Sequence, residues 1–441
     1  MTVQSGAQAR PGAGGPTIPA IGSLNWRVII LASLGAGLEF YDFIIYGIFA
    51  RYIAAAFFPA QDPLVALISV FAIYAVGYLS RPLGGLVFSH IGDRRGRRLS
   101  FMASLLIMTG ATLAMAVTPG YAALGIAAPI LFTALRFIQG FAVGGEMPGA
   151  ITYVAEMAPR RAGLACGIVV FFVNTGVFLG TSVSVVLHEA LSPAAMGDYG
   201  WRIAFAVGGL FGIVSLLLRR ALQESPAFKA MAMAKAPPRI PALEIFRRFP
   251  GALIVGISVG AVVQTYNGLV FVALAPYLST ALGYDPTTVA VAINLAVGLL
   301  SIGILVIGFV SDSFPRRHLH RFGAFAIALG AYPAYQAMVG HSVNITLLIA
   351  AIGLVGIFAN GTFAALLADL FPTEVRFSGV ALAYNITAAV FGGFTALITA
   401  WLLAATGDKA SPGIFLAVVA ALSVVVGMAH RRYAERAARI G

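Results

Sequence analysis

From Asn25 onward, apolar stretches of close to twenty residues alternate with short polar ones. An α-helix needs about 20 residues to cross the hydrocarbon core of a bilayer, so the pattern predicts membrane-spanning helices. Hydropathy, loop charge and the Gly and Pro breaks place twelve of them, at 26–50, 63–88, 99–117, 121–156, 162–187, 200–220, 250–280, 287–310, 321–339, 343–370, 376–404 and 411–430. The longest charged, Pro-bearing interruption, ALQESPAFKAMAMAKAPPRIPALEIFRRFP, separates the sixth from the seventh. The expected organisation is a flexible tail at 1–24, a six-helix bundle at 25–220, a linker at 221–249, a second six-helix bundle at 250–430 and a basic tail at 431–441. The fold class is an all-α polytopic membrane protein.

Composition agrees, because 60% of the 441 residues are hydrophobic and only 10% are charged, a balance foreign to soluble domains. The opening MTVQSGAQARPGAGGPTIPA is too polar and too rich in Gly and Pro for a signal peptide, so the first helix is expected to stay in the mature chain. A net charge of +12 would suit nucleic acid, but its distribution marks topology instead. Arg81 and Arg136 fall inside spans, Arg51, Arg202 and Lys409 fall in one set of alternate loops, and the other cations lie in the tails and the opposite loops. By the positive-inside rule both termini are cytoplasmic, in a bacterial inner membrane, with lipid headgroups as a further contact and no nucleic-acid partner. The single cysteine, Cys166, permits neither an internal disulfide nor a thiolate metal cage. There is no Gly-rich phosphate loop with Lys-Ser/Thr and no HExxH. Neither ATP, nor a metal, nor another cofactor is expected, and the chain is not expected to be an enzyme.

The two halves echo one another. In SHIGDRRGRR, Asp93 is followed at the same spacing by Arg97 and Arg98 as Asp312 is by Arg316 and Arg317 in GFVSDSFPRR. YVAEMAPRRAG likewise pairs with LLADLFPTEVRFSG, each with an acid three residues before a Pro. Duplicated halves with a site at their interface are a transporter architecture. On the GDRRGRR loop the chain resembles the major facilitator superfamily. EFYDFIIYG, SRPLGG, LRFIQGFAVGGE, GWRIAF with ESPAF, FPTEVRFSGVALAYN, and FGGF with TGDKASPG extend the resemblance to its metabolite:proton symporters, the group of citrate, α-ketoglutarate, shikimate and proline/betaine importers. TGDKASPG is most similar to the citrate and tricarballylate branch. Pro315 stands where the first half has Gly96, and helix 1 reads EFYDF where many relatives have EWYDF or EWFDF.

Chemistry concentrates on a few charges inside apolar helix. Glu39 and Asp42 lie ~18 and ~22 Å from the cytoplasmic entry of helix 1, three residues apart on one face that Tyr46 continues. A carboxylic acid so placed can exchange a proton near neutral pH, as coupling to a proton requires. The alternative is permanent pairing for structure. The resemblance favours Asp42, because FYDFIIYG aligns with the segment carrying the proton-binding Asp of proton-linked sugar porters. Arg136, near mid-bilayer on helix 4, is the expected partner of Asp42 in a pair that opens on protonation; its other expected role is a fork on a substrate carboxylate, with Gln139 on the same face. Arg81 either snorkels or belongs to an inner gate. Glu146 is expected to pair with the Arg-rich loop after helix 2, where Gly92 and Gly96 allow a tight turn and Asp93, Arg94, Arg97 and Arg98 form a latch, with Asp312 and Arg316 as a degraded second copy.

The second half offers neutral groups instead: Gln264, Tyr266, Asn267 and Tyr277 on helix 7, Asn360 on helix 10, and Tyr384 and Asn385 on helix 11. Each suits an interhelical hydrogen bond or a substrate contact. Of these, Gln264, Tyr266, Asn267, Asn360, Tyr384 and Asn385 are the substrate-binding candidates, with Gln264, Asn267 and Tyr384 foremost. The leading reading is a monomeric proton-coupled importer of a small organic anion, a di- or tricarboxylate such as citrate. The alternatives are a symporter of a zwitterion such as proline or betaine, a drug:proton antiporter, and a non-transporting receptor. NTGVFLGTSVS lacks the Pro of the antiporter signature in helix 5, and neither terminus has room for a signalling domain.

Overall fold

Polar residues set the ends of the apolar helices. Asp285 accepts from the amide of Thr288 at 2.8 Å, and Asn344 accepts from those of Thr346 and Leu347 at 3.0 and 3.2 Å, each satisfying donors that a first helical turn leaves open. The computed structural model describes residues 26–58, 63–234 and 238–440, and those residues are helical throughout, with short connections. The tail expected at 1–24 and the side chain of Glu39 lie outside the described residues.

The first bundle consists of α1 (Trp26–Ile48), α2 (Pro63–Arg95), α3 (Arg97–Val117), α4 (Ala127–Met157), α5 (Ala162–Ala190) and α6 (Trp201–Arg219). The second consists of α7 (Pro250–Ser279), α8 (Pro286–Val310), α9 (Arg316–Val339), α10 (Ile345–Asp369), α11 (Arg376–Thr387, continued by Thr395–Thr406) and α12 (Ser411–Gly427). Among the described residues ten helices are long and apolar enough to cross a membrane, and α12 adds an eleventh when joined across its 50° bend to His430–Ile440. Among the described residues, Arg97, Glu156, Arg316, Asp369, Arg376 and Arg431 of the basic loops gather at one end of the molecule, called here the basic face.

Several helix ends differ from the expected ones. α2 runs to Arg95 instead of 88 and α9 starts at Arg316 instead of 321, because charged turns continue a helix beyond its apolar part. Gly92 therefore lies inside α2, against Phe377, and Gly96 alone makes the turn, at φ +113°. The 221–249 segment contains helices Pro226–Ala234 and Pro241–Arg248.

Small residues bring the helices that carry the charges close together. On α4, Gly140 faces the Gly77 carbonyl and Gly144 faces the Arg81 carbonyl of α2, while Gly37 of α1 and Gly176 of α5 form the corresponding crossing. Without a hydrophobic drive between helices in lipid, such backbone approach is what holds a bundle together. Replacing Gly144→Leu would force its side chain against main chain that cannot swing away. We expect a loss of about 1–3 kcal/mol, read as a lower melting temperature of the detergent-solubilised protein, whereas Gly110→Leu, where a side chain meets open space, should leave it unchanged.

Candidate functional site

The centre of the first bundle is polar and closed. Asp42 of α1 is buried; its Oδ2 accepts from Thr112 Oγ1 of α3 at 2.6 Å and from Gln139 Nε2 of α4 at 3.0 Å. Gln139 Nε2 also donates to Thr112 Oγ1 at 2.8 Å, and its carbonyl oxygen accepts from Arg136 Nη1. Only this amide orientation gives donors to the carboxylate and an acceptor to the guanidinium. Arg136 is buried, with its guanidinium 4.4 Å above the Tyr46 ring, which itself stacks on Phe132. The second carboxylate oxygen of Asp42 has no protein partner among the described residues and faces Gly208 of α6. The expected direct Asp42–Arg136 pair is thus a three-member relay through a neutral amide. The charges attract across it without sharing a hydrogen bond, so either end can change partners separately.

Across the interface, Gln264 and Asn267 lie half-buried on α7, and Tyr384 is buried on α11 with its ring stacked on Phe363. Wide i→i+5 turns follow immediately, at Gly268–Ala273 and Ala388–Gly392, and such turns collect at functional positions. Tyr266 and Asn360 do not join this group. The Tyr266 hydroxyl donates to the Ile352 carbonyl at 2.9 Å inside the second bundle, beside an apolar cavity of about 200 Å³, and Asn360 donates to its own helix at Gly356, 3.1 Å away. Asn385 instead bridges the bundles, donating to the Gly144 carbonyl at 2.8 Å. One level above, Arg81 is 2% exposed, with its guanidinium 4.5 Å from the Tyr78 ring, which rules out snorkelling. Asn174 of α5 and Ser301 of α8 make a further bridge at 2.9 Å, a pair that sequence reasoning missed because single polar residues in apolar helix carry no pattern.

At the basic face the two halves lock reciprocally. Asp93, at the end of α2, accepts from the amides of Phe377 and Ser378 at 3.3 and 2.9 Å, the open N-terminus of α11 in the other bundle. Asp312, at the end of α8, accepts from Gly163 and Leu164 at 2.7 and 3.2 Å, the N-terminus of α5. Arg97 binds Asp93 at 2.7 Å and Glu156 at 3.2 Å, and donates to the Thr373 carbonyl at 2.6 Å. Its counterpart Arg316 binds Asp312 at 3.3 Å and Asp369 at 3.0 Å. Arg376 crosses to Glu156 at 3.2 Å. The second copy, expected to be degraded, is geometrically whole, because Pro315 occupies a turn position that needs no left-handed conformation (φ −58°). Arg94 points outward, exposed, and Arg98 ties to Glu224 and the Arg220 carbonyl.

Glu146 is not paired with that loop. It lies fully buried inside the first bundle, 2.7 Å from Arg219 of α6 and 3.1 Å from Ser104 of α3. Arg219, counted among the loop cations by its place at a helix end, also donates to the carbonyls of Leu31 and Ala32 at 3.0 and 2.6 Å. Besides Asp93 and Glu224, the acid that the Arg-rich loop uses is Glu156. The repeated acid-before-Pro pattern had marked it and Asp369 as equivalent, without showing their partners.

Comparison with known proteins places this geometry. The family model described as "Sugar (and other) transporter" matches residues 28–236 and 233–430. The proline/betaine transporter of Escherichia coli (strain K12) is 33% identical over 93% of this chain and 84% of its own length. The proline/betaine transporter of Salmonella typhimurium (strain LT2) matches to the same extent. Among solved structures, the major facilitator superfamily proton:xylose symporter XylE bound to 6-bromo-6-deoxy-D-glucose superposes with a TM-score of 0.75 at 18% identity, over 93% of this chain and 95% of that one. The inward open conformation of the xylose transporter XylE from E. coli gives 0.60, also at 18% identity, over 92% and 95%.

The carboxylates at helix N-termini should hold the basic face shut, each contact being worth up to about 2 kcal/mol. A thiol reporter introduced as Ser89→Cys, in a chain carrying Cys166→Ala, sits in the α2–α11 contact beside Ser378. Adding Asp93→Asn is expected to raise its alkylation rate roughly tenfold; Arg94→Gln, at an exposed position, is expected to leave the rate unchanged.

Proposed function

This chain belongs to the family of sugar and other transporters within the major facilitator superfamily, and from that premise we propose that it is a proton-coupled symporter of a small zwitterion of the proline or betaine kind. It is a multi-pass membrane transporter and not an enzyme. The proposal places it in a bacterial inner membrane, with the basic face and both termini in the cytoplasm, as the positive-inside charge distribution supports.

The observation that carries the reading is the buried Asp42–Gln139–Arg136 relay. A proton arriving on Asp42 removes the negative end of the relay. Gln139 then no longer has to donate to a carboxylate, and the Arg136 guanidinium can turn its fork onto the carboxylate of a substrate. Gln264, Asn267 and Tyr384 would complete the pocket from the second bundle. Loaded with both proton and substrate, the site has Arg136 matched by the substrate carboxylate and no bare carboxylate on Asp42, and the bundles rock to open the basic face; emptied, they rock back.

The zwitterion is favoured over the di- or tricarboxylate for two reasons. The relatives at 31–33% identity are named for proline and betaine. The TGDKASPG stretch that had suggested citrate links α11 to α12 at the end opposite the basic face, where Lys409 binds the Ala281 carbonyl, far in sequence and space from the relay. A molecule with one carboxylate needs one fork, which Arg136 supplies.

In proteoliposomes with an inward proton gradient, the protein is expected to accumulate labelled proline or glycine betaine and not citrate. Asp42→Asn should abolish uphill uptake yet keep exchange of internal for external substrate; a variant that still concentrates substrate like the wild type removes Asp42 from the coupling role. Arg136→Lys replaces a planar fork by a point charge. A charge-assisted hydrogen bond of about 1.5–3 kcal/mol is then lost, weakening binding roughly 10- to 100-fold by calorimetry.

A further inference from the structure

Below Asp42 the interior of the first bundle does not return to apolar packing. A second buried acid, Glu146, sits closer to the basic face, and the helix between them, α3, touches both. Thr112 binds Asp42 at 2.6 Å, and Ser104, two turns lower, binds Glu146 Oε2 at 3.1 Å. Between these, Thr109 is 3% exposed and its hydroxyl has no partner among the described residues; Ser215 of α6 is 4% exposed with a hydroxyl in the same condition. Thr109 packs against Gly212 of α6, one turn before Ser215. The oxygen of Asp42 that lacks a partner faces Gly208, one turn before Gly212. Buried hydroxyls without partners are uncommon and costly, and these fall in one column.

The column is short. Gly35 of α1 packs against the Glu146–Arg219 pair and lies seven residues before Asp42, so the two acids are about 10 Å apart along the helix axis. Gly35, Gly208 and Gly212 let the groups of the column pack directly against α1 and α6: Glu146 and Arg219 at Gly35, Asp42 and Tyr41 at Gly208, and Thr109 at Gly212.

We infer that the interior of the first bundle contains a proton path from Asp42 to Glu146, stepping through Thr112, Thr109, Ser215 and Ser104, with Glu146 as a second proton-accepting residue. This rests on the reading of Asp42 as the coupling acid. A proton leaving the Asp42 carboxyl is passed by hydroxyls and intervening water, each oxygen gaining one proton and releasing another; it is held as the O–H of Glu146 and then released to water at the basic face, which returns the carboxylate to Arg219. No electrons change hands. The Glu146–Arg219 ion pair is broken as long as Glu146 holds the proton, while Arg219 stays held by the Leu31 and Ala32 carbonyls and lies over the Phe101 ring at 3.8 Å. Among the described residues the charged group facing Glu146 is Arg219 on α6, with Ser104 on α3, and the charged group acting on Asp42 is Arg136 on α4. Because the path runs within one bundle, the proton and the substrate leave by different routes.

The test uses the full chain in proteoliposomes, with proline and glycine betaine as substrates and a trapped pH dye reporting proton arrival. Thr109→Val is expected to slow substrate-driven proton arrival at least about tenfold while exchange of labelled substrate stays at the wild-type rate, and Thr109→Ser to restore it. The paired change Glu146→Gln with Arg219→Gln, which leaves no lone buried charge, is expected to keep exchange and lose proton arrival. Wild-type proton arrival in Thr109→Val or in the paired variant contradicts the path, as does loss of exchange together with proton arrival in Thr109→Val, or failure of Thr109→Ser to restore it. Asp42→Asn in the same assay separates the two readings. If it still acidifies the lumen, the coupling role of Asp42 fails; if it is silent while the paired variant acidifies normally, the path alone fails.

Discussion

A carboxylate buried in an apolar bundle must be neutralised, either by a proton or by hydrogen bonds and a cation, and the rest of this structure is arranged around that constraint. Asp42 meets it with Thr112 and with an amide that connects it to Arg136. The glycines at the α2–α4 and α1–α5 crossings let the backbones approach closely enough to hold the relay in place. Because a neutral side chain stands between acid and cation, loss of the negative charge does not strand the guanidinium, which keeps the Gln139 carbonyl and the Tyr46 face. An arrangement tolerant of both protonation states is what a carrier needs, and a direct salt bridge would be less tolerant.

The basic face works by a related economy of charge. Asp93 and Asp312 each cap a helix of the opposite bundle, so the two halves are clamped by two copies of one contact. Each is braced by an arginine four residues on and by a second acid, Glu156 or Asp369. These contacts are polar and directional, and they lie among buried apolar side chains of both bundles, such as Ile151, Phe371 and Phe377. When the bundles rock they break as units, together with the apolar packing that joins the bundles there. The symmetry explains why the motif repeats in the sequence: a twofold-related hinge needs a latch on both sides.

Much of this was legible beforehand. The all-helical membrane fold follows from hydropathy, because lipid permits few alternatives to apolar helix. Asp42, Arg136 and Gln139 stood out because charge inside a span is expensive, and the structure brings them together. Partners were harder to read. Glu146 was assigned to the Arg-rich loop by depth alone, yet it binds Arg219, which hides at a helix end and reaches inward. Thr109, Thr112, Asn174 and Ser301 gave no signal, since a single hydroxyl or amide in apolar helix bonds to its own backbone as readily as to a neighbour. Tyr266 and Asn360 misled for the same reason. Substrate identity was the least legible feature: TGDKASPG resembled one branch, but its place at the far end of the molecule gives it no contact with the relay.

Proton coupling is what every role assigned to Asp42, Gln139 and Arg136 depends on. The most direct measurement is the steady accumulation ratio of labelled proline or glycine betaine in proteoliposomes as external pH is varied at fixed internal pH and clamped zero membrane potential. For each proton carried with the substrate, the ratio is predicted to rise roughly tenfold per unit of pH difference, since one unit is about 1.36 kcal/mol. A ratio that stays at unity, whatever the acidity outside, would contradict the account.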